Sequence, residues 1–119
     1  MRALTPYERG HVVLVGIAFS DGRGLKQRPA VVWSTSAYND DCLKLVVIGL
    51  TSNTRQPYRF GDTHIEDLGT AGLSKPCMAR GVLATVDRAA VRRVLGRLAP
   101  VDLERVESNV AAILGFRIG

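Results

Sequence analysis

The chain has 119 residues, 46% of them hydrophobic, with a formal net charge of +5 and a sequence pI of about 9.8. That size and composition fit one globular domain over residues 1–119 with a single core, and they exclude a disordered or disulfide-stapled chain. No apolar run approaches the length needed to span a bilayer. The opening Met1-Arg2-Ala3-Leu4-Thr5-Pro6 is short, polar and broken by proline, unlike a signal peptide, so the reading is cytoplasmic.

In chain order, Glu8-Arg9-Gly10 reads as a turn, and His11 to Phe19 as a long strand whose nearly continuous apolar run predicts cover on both faces. Ser20-Asp21-Gly22-Arg23-Gly24 is dense turn chemistry. With Lys26 and Arg28 it makes a basic loop, ended by Arg28-Pro29, and Pro29 to Ser34 is the return strand. The connection is too long for a two-residue hairpin, and long loops in small domains often carry function. Tyr38-Asn39-Asp40-Asp41 reads as a turn into a third strand at Cys42–Leu50, which ends in the polar cluster Thr51-Ser52-Asn53-Thr54.

From Arg55 to Pro76 the pattern is irregular, with a short strand around Thr63–Glu66. Thr63-x-x-Glu66 has the form of a capping box, but no periodic apolar run follows it, so no helix is predicted there. Cys77 to Val86 reads as a strand. Asp87–Val91 could open a helix, but Gly96 argues for a brief turn and a short strand at Val94–Leu98. The last segment has helical spacing at Leu103, Val106, Val110, Ile113 and Leu114, with Pro100 at its start and Gly115 as a left-handed stop on which Phe116 folds back. Strands dominate and one helix closes the chain. The expected fold is mainly β with α: a small, strongly curved, partly closed barrel carrying a C-terminal amphipathic helix.

Most catalytic templates are absent. There is no P-loop, no H-E-x-x-H and no G-x-S-x-G, and Gly22-x-Gly24 lies between strands rather than ahead of a helix. Cys42 and Cys77 stand 35 positions apart without metal spacing, so no metal site is expected, and both are read as small apolar residues in strand-like surroundings. His11 and His64 are the only histidines, and nothing in the pattern pairs them for acid–base work. That leaves Arg28, ahead of a central-type strand, and the hydroxyls of Thr51 and Ser52 just after the next. If those strands neighbour each other, a guanidinium and a hydroxyl converge at one sheet edge. A planar guanidinium fork suits phosphate. Taken alone, Arg28 reads more readily as a structural ion-pair or turn residue than as a phosphate ligand. The net basicity points to an acidic partner.

Several blocks occur in order: Gly10-His11-Val12-Val13-Leu14-Val15, Phe19-Ser20-Asp21-Gly22, Lys26-Gln27-Arg28-Pro29-Ala30-Val31-Val32 and Leu50-Thr51-Ser52. They are followed by Gly72-Leu73-Ser74-Lys75-Pro76, Ala84-Thr85-Val86-Asp87-Arg88, Leu95-Gly96-Arg97-Leu98 and Leu114-Gly115-Phe116. Together they resemble the MazF/PemK family, the toxins of type II toxin–antitoxin pairs, from about Gly10 to Phe116. The resemblance implies a PemK-like, SH3-related barrel acting as a homodimer, without a cofactor. It also implies a ribosome- and metal-independent endoribonuclease (an mRNA interferase) that cuts single-stranded RNA, neutralised by a cognate antitoxin with an acidic binding tail. It places the essential arginine on Arg28 and the essential threonine on Thr51. Ser20, Asp21, Gly22, Arg23, Lys26 and Gln27 fall in the mobile loop that covers substrate, and Ser52 supports Thr51.

The family commonly has Gly-Asp where this chain has Gly10-His11, a position read as a turn or strand edge. Arg80 is read as an ordinary solvated cation, and Tyr58 and Phe60 as base-stacking or core residues. The rival readings keep the barrel and drop the catalysis: a gyrase-binding toxin, or a drifted copy that binds antitoxin without cutting RNA.

Overall fold

The computed structural model describes residues 7–18, 25–55 and 58–116. Six strands form one antiparallel sheet: β1 (His11–Ala18), β2 (Leu25–Val32), β3 (Lys44–Thr51), β4 (Thr63–His64), β5 (Met78–Asp87) and β6 (Val91–Arg97), in the order β4-β5-β3-β2-β1-β6. Helix α1 (Ser36–Cys42) joins β2 to β3, the four-residue α2 (Leu68–Ala71) lies between β4 and β5, and α3 (Pro100–Leu114) closes the chain. The result is a curled half-barrel with one long C-terminal helix, as expected from the strand-rich pattern.

Both faces of the sheet are covered, which explains the unbroken apolar runs of the strands. Val12, Val31, Ile48 and Leu50 share one face, and Val106, Val110 and Leu98 pack against it from α3 and its approach. Val13, Val15, Ala30, Val32, Leu45 and Val47 occupy the other, with Tyr7, Val86 and Val91 against them. Helix α3 buries Val106 and Val110 and ends at Gly115 in the left-handed region (φ +78°), with the Phe116 N–H donating to the Ala111 carbonyl at 2.9 Å. That bond is the Schellman closure. Phe116 is nonetheless 70% exposed and Leu114 52%, so neither completes the buried stripe.

Three sequence expectations are corrected. Tyr38–Asp41 lies within α1 rather than in a turn, because the Thr35 side chain caps the Tyr38 N–H and the amide of Asn39 is fully buried. Asn39 donates to the Tyr7 carbonyl at 2.7 Å and accepts from the Ser34 hydroxyl, which itself accepts the Val46 N–H at 2.9 Å. Those turn-forming side chains therefore tie a short helix to β3. Cys42 consequently ends α1, exposed, and β3 starts at Lys44; Cys77 is buried. The brief turn expected after Asp87 is a single 3₁₀ turn at Arg88–Ala90, but β6 starts directly after it at Val91 rather than at Val94, with Gly96 inside it.

Gly96 is in the strand because another segment needs the space. A Cβ there would stand 2.6 Å from the Ala71 carbonyl carbon and the Thr70 oxygen, and one on Gly72 only 2.0 Å from the Leu95 oxygen. The end of α2 thus lies backbone-to-backbone against β6. Asp67 caps α2 by accepting the Thr70 N–H at 3.1 Å. The fully buried Asp102 of α3 fixes the approach, accepting the Glu66 and Asp67 N–H groups at 2.9 Å each. Both glycines are required by contact, and Gly72 also by its φ of +73°. Replacing Gly96 with Ala should destabilise the fold by about 1–3 kcal/mol, as overpacking does. A urea titration comparing Gly96→Ala with Gly49→Ala, whose Cβ would meet nothing within 4 Å, checks it: equal midpoints would refute the contact.

Candidate nucleic-acid interface

On the α3-facing side of the sheet, beyond the part that the helix covers, lies a cleft of about 520 Å³. Its floor comes from register. Leu14 pairs with Pro29 of β2 on one side and with Arg93 of β6 on the other. Direct partners in a ladder share a face, so Arg93, Leu14 and Pro29 form one row, and Leu50 of β3 lines the cleft beside them. Leu73, Ser74 and Lys75, just after α2, form the facing wall, with Leu95 and the buried Cys77. The α2–β6 contact described above carries this wall to the cleft.

The cleft brings together several predicted residues. Lys26, Gln27, Arg28 and Ser52 all line it. Strands β2 and β3 are neighbours, with Ala30 opposite Gly49, Val31 opposite Ile48 and Val32 opposite Val47. Arg28 lies on β2 two residues before this paired stretch, and Thr51 ends β3 two residues after it. Thr51 itself is not among the lining residues; its Oγ1 accepts the Asn53 N–H at 3.1 Å. Ser20, Asp21, Gly22 and Arg23 lie outside the described residues.

Sequence reading missed Arg93 and Lys75 as cleft residues. Arg93 was hidden because its place depends on β6 being a full strand in register with Leu14. Lys75 follows a helix that shows no apolar period.

Electrostatics single the cleft out. Among the described residues its lining holds four cations (Lys26, Arg28, Lys75 and Arg93) and no carboxylate. Outside it, six cations are in ion pairs: Arg9 with Glu107, Lys44 with Asp87, Arg80 with Asp62, Arg88 with Asp40, Arg97 with Glu8 and Arg105 with Asp102. Arg80 is therefore an ion-pair partner of the buried Asp62 rather than a solvated cation. Burial raises the Cys77 thiol above its ordinary pKa, and Lys75 offsets this in part, so the thiol stays protonated at neutral pH. Among the described residues no three His, Cys, Asp or Glu side chains gather to form a metal site.

Neither histidine lines the cleft. His64 stacks on Tyr58, with ring centroids 5.6 Å apart. His11 takes the Glu8 N–H on Nδ1 at 3.0 Å and has the Arg97 guanidinium 2.9 Å from Nε2. Tyr58 is 61% and Phe60 80% exposed, in a turn outside the cleft, so neither is a core residue.

The chain matches the model of the PemK-like, MazF-like toxins of type II toxin–antitoxin systems over residues 8–114. No curated protein sequence matches it significantly in direct comparison. Among solved structures it is similar to a mycobacterial endoribonuclease in complex with its cognate antitoxin, with a TM-score of 0.77, 16% identity, and coverage of 95% of this chain and 99% of that one. A second mycobacterial endoribonuclease gives 0.76 at 14% identity, covering 99% and 100%. A MazE–MazF complex from Deinococcus radiodurans gives 0.76 at 22% identity, covering 95% and 100%. At these identities the structural likeness establishes the fold.

The His11 environment makes one prediction. Burial first, then the Arg97 charge, lower its pKa below 6.5, against the opposing pull of Glu8. Below pH 6.5 the unfolded chain therefore binds the proton more readily, and stability is lost as pH falls through the folded-state pKa. Between about pH 7.5 and 5, the urea midpoint of the wild type should fall further than that of His11→Gln. Parallel pH profiles would refute this account.

Proposed function

Since the chain belongs to the PemK-like, MazF-like toxin family of type II toxin–antitoxin systems, we propose that it is a sequence-specific endoribonuclease that cuts single-stranded RNA without ribosome or metal. A cognate antitoxin would be its neutralising partner and a homodimer its working form. The observation that carries this reading is the cleft, whose described lining holds four cations and no acid. Such a site favours a polyanion, and its apolar floor suits an unstacked base better than a duplex.

In the proposed reaction the RNA 2′-oxygen attacks the adjacent phosphorus while the bond from phosphorus to the 5′-oxygen breaks. The 2′-hydroxyl proton is lost and the departing 5′-oxygen gains one, leaving a 2′,3′-cyclic phosphate and a 5′-hydroxyl. Arg28 stabilises the charge growing on the non-bridging oxygens. It is not the base, because a guanidinium keeps its proton. The Thr51 oxygen already accepts the Asn53 N–H, so its own O–H is free to donate to a phosphoryl oxygen. Ser52 adds a hydroxyl from within the cleft. Lys26 and Gln27 hold the flanking strand, and the Ser20-to-Arg23 loop ahead of them is proposed as the lid over it. An antitoxin segment rich in Asp and Glu would compete for the same cations.

Incubating the protein with a long RNA in EDTA tests the reading. Fragments with cyclic-phosphate ends are expected, and no cutting at any concentration would favour a binding-only toxin. Arg28→Ala should slow cleavage about 10²–10³-fold, roughly 2.7–4 kcal/mol of barrier, the scale of a lost oxyanion donor. A near-normal rate from a folded Arg28→Ala protein would remove Arg28 from the chemistry.

A further inference from the structure

We propose that Arg93 is a second phosphate-binding residue, which holds the RNA strand at the far end of the cleft and so fixes which phosphodiester faces Arg28. The proposal rests on the RNA reading above but adds a residue and a role to it. Strand β6 is three strands away from β3, so Arg93 and the Thr51–Ser52 hydroxyls stand roughly 14 Å apart at the sheet's strand spacing. That separation is too great for one phosphate to bridge, and between the two ends lies the apolar floor of Leu14 and Pro29. A base lying on that floor has the reacting phosphate on its Arg28 side and a neighbouring phosphate on its Arg93 side.

Arg93 is exposed and has no hydrogen-bond or ion-pair partner among the described residues, so its guanidinium is available to an incoming anion. It is also held in place. The β1–β6 register shifts between Leu14 and Val15, so the Leu14–Arg93 pair is the last before the irregularity. A bulge there re-aims the side chains beside it. Two residues on, Leu95 and Gly96 are fixed by the α2 backbone. A positioned guanidinium binds phosphate through two parallel hydrogen bonds, which sets direction as well as adding affinity.

The test uses a mixed-sequence 2′-O-methyl RNA oligonucleotide, which lacks the attacking hydroxyl, so binding is read whether or not the protein cuts. Its affinity is measured against salt for the wild type, Arg93→Ala, Arg93→Lys, and Arg59→Ala, which removes an equal charge outside the cleft. Arg93→Ala should bind about tenfold or more weakly, the scale of a lost charge-assisted hydrogen bond. Its salt slope should fall by about 0.7, as for one phosphate contact on a single strand. Arg93→Lys should keep the slope but recover only part of the affinity, and Arg59→Ala should match the wild type. In cleavage assays the Arg93→Ala loss should fall more on KM than on kcat.

If wild type and Arg93→Ala bind with the same affinity and slope, if Arg59→Ala loses as much, or if the wild type does not bind the oligonucleotide, the proposal is overturned. If binding depends on Arg93 while no RNA is cut in EDTA, the nuclease reading fails and the Arg93 assignment stands.

Discussion

Everything at the cleft depends on a steric fact, the approach of the α2 backbone to β6. Only glycine at 72 and 96 lets two main chains come so close. The contact brings residues 73–75 over the face of a sheet whose floor comes from segments as far apart in sequence as Leu14 and Arg93. It is not left to packing alone, because the buried Asp102 carboxylate accepts two successive backbone N–H groups at the entry to α2. A carboxylate that is fully buried and bonded in this way anchors the turn firmly, since leaving those donors without a partner would cost about 1–3 kcal/mol each. The C-terminal helix therefore shapes a site that it does not line.

The distribution of charge follows a second constraint. Outside the cleft several acids and bases neutralise each other, through exposed pairs such as Arg97–Glu8 and more buried ones such as Arg80–Asp62. Exposed pairs of this kind add little stability, but they remove competing basic patches. Where β2, β6 and the segment after α2 meet, four cations instead share one cleft. A polyanion is thus drawn to one place rather than to the molecule at large.

How much of this was legible from residues alone varied with the range of the interaction. The long apolar strands, the closing helix with Pro100 and Gly115, and the pairing of the strand after Arg28 with the strand that ends at Thr51 are written in local pattern. Helix α1 was not, because Asn39 and Asp40 are turn formers in isolation and become helical only when Asn39 finds buried partners at Tyr7 and Ser34. The reason for Gly96 was hidden likewise: it makes room for residues 70–72, which no window around it contains. Arg93 and Lys75 became visible as site residues only once the register of β6 and the α2 contact were known.

The clustered cations of the cleft disfavour the free protein, since like charges confined to one site repel. The fold tolerates this because the residues beneath them are buried and fixed: Leu50 is 5% exposed, Cys77 4%, and the glycine contact locks the wall. Any anion that binds there relieves the repulsion and stabilises the native state in proportion to its affinity. RNA and an acidic protein segment would do so equally well, because both answer the same excess of positive charge. The two differ at the floor. A nucleotide base can lie flat on Leu14 and Pro29 while its phosphates reach the cations on either side, whereas an acidic peptide must place its carboxylates by side-chain reach. Discrimination between substrate and inhibitor would then reside in the apolar row, and attraction of either in the arginines at its ends.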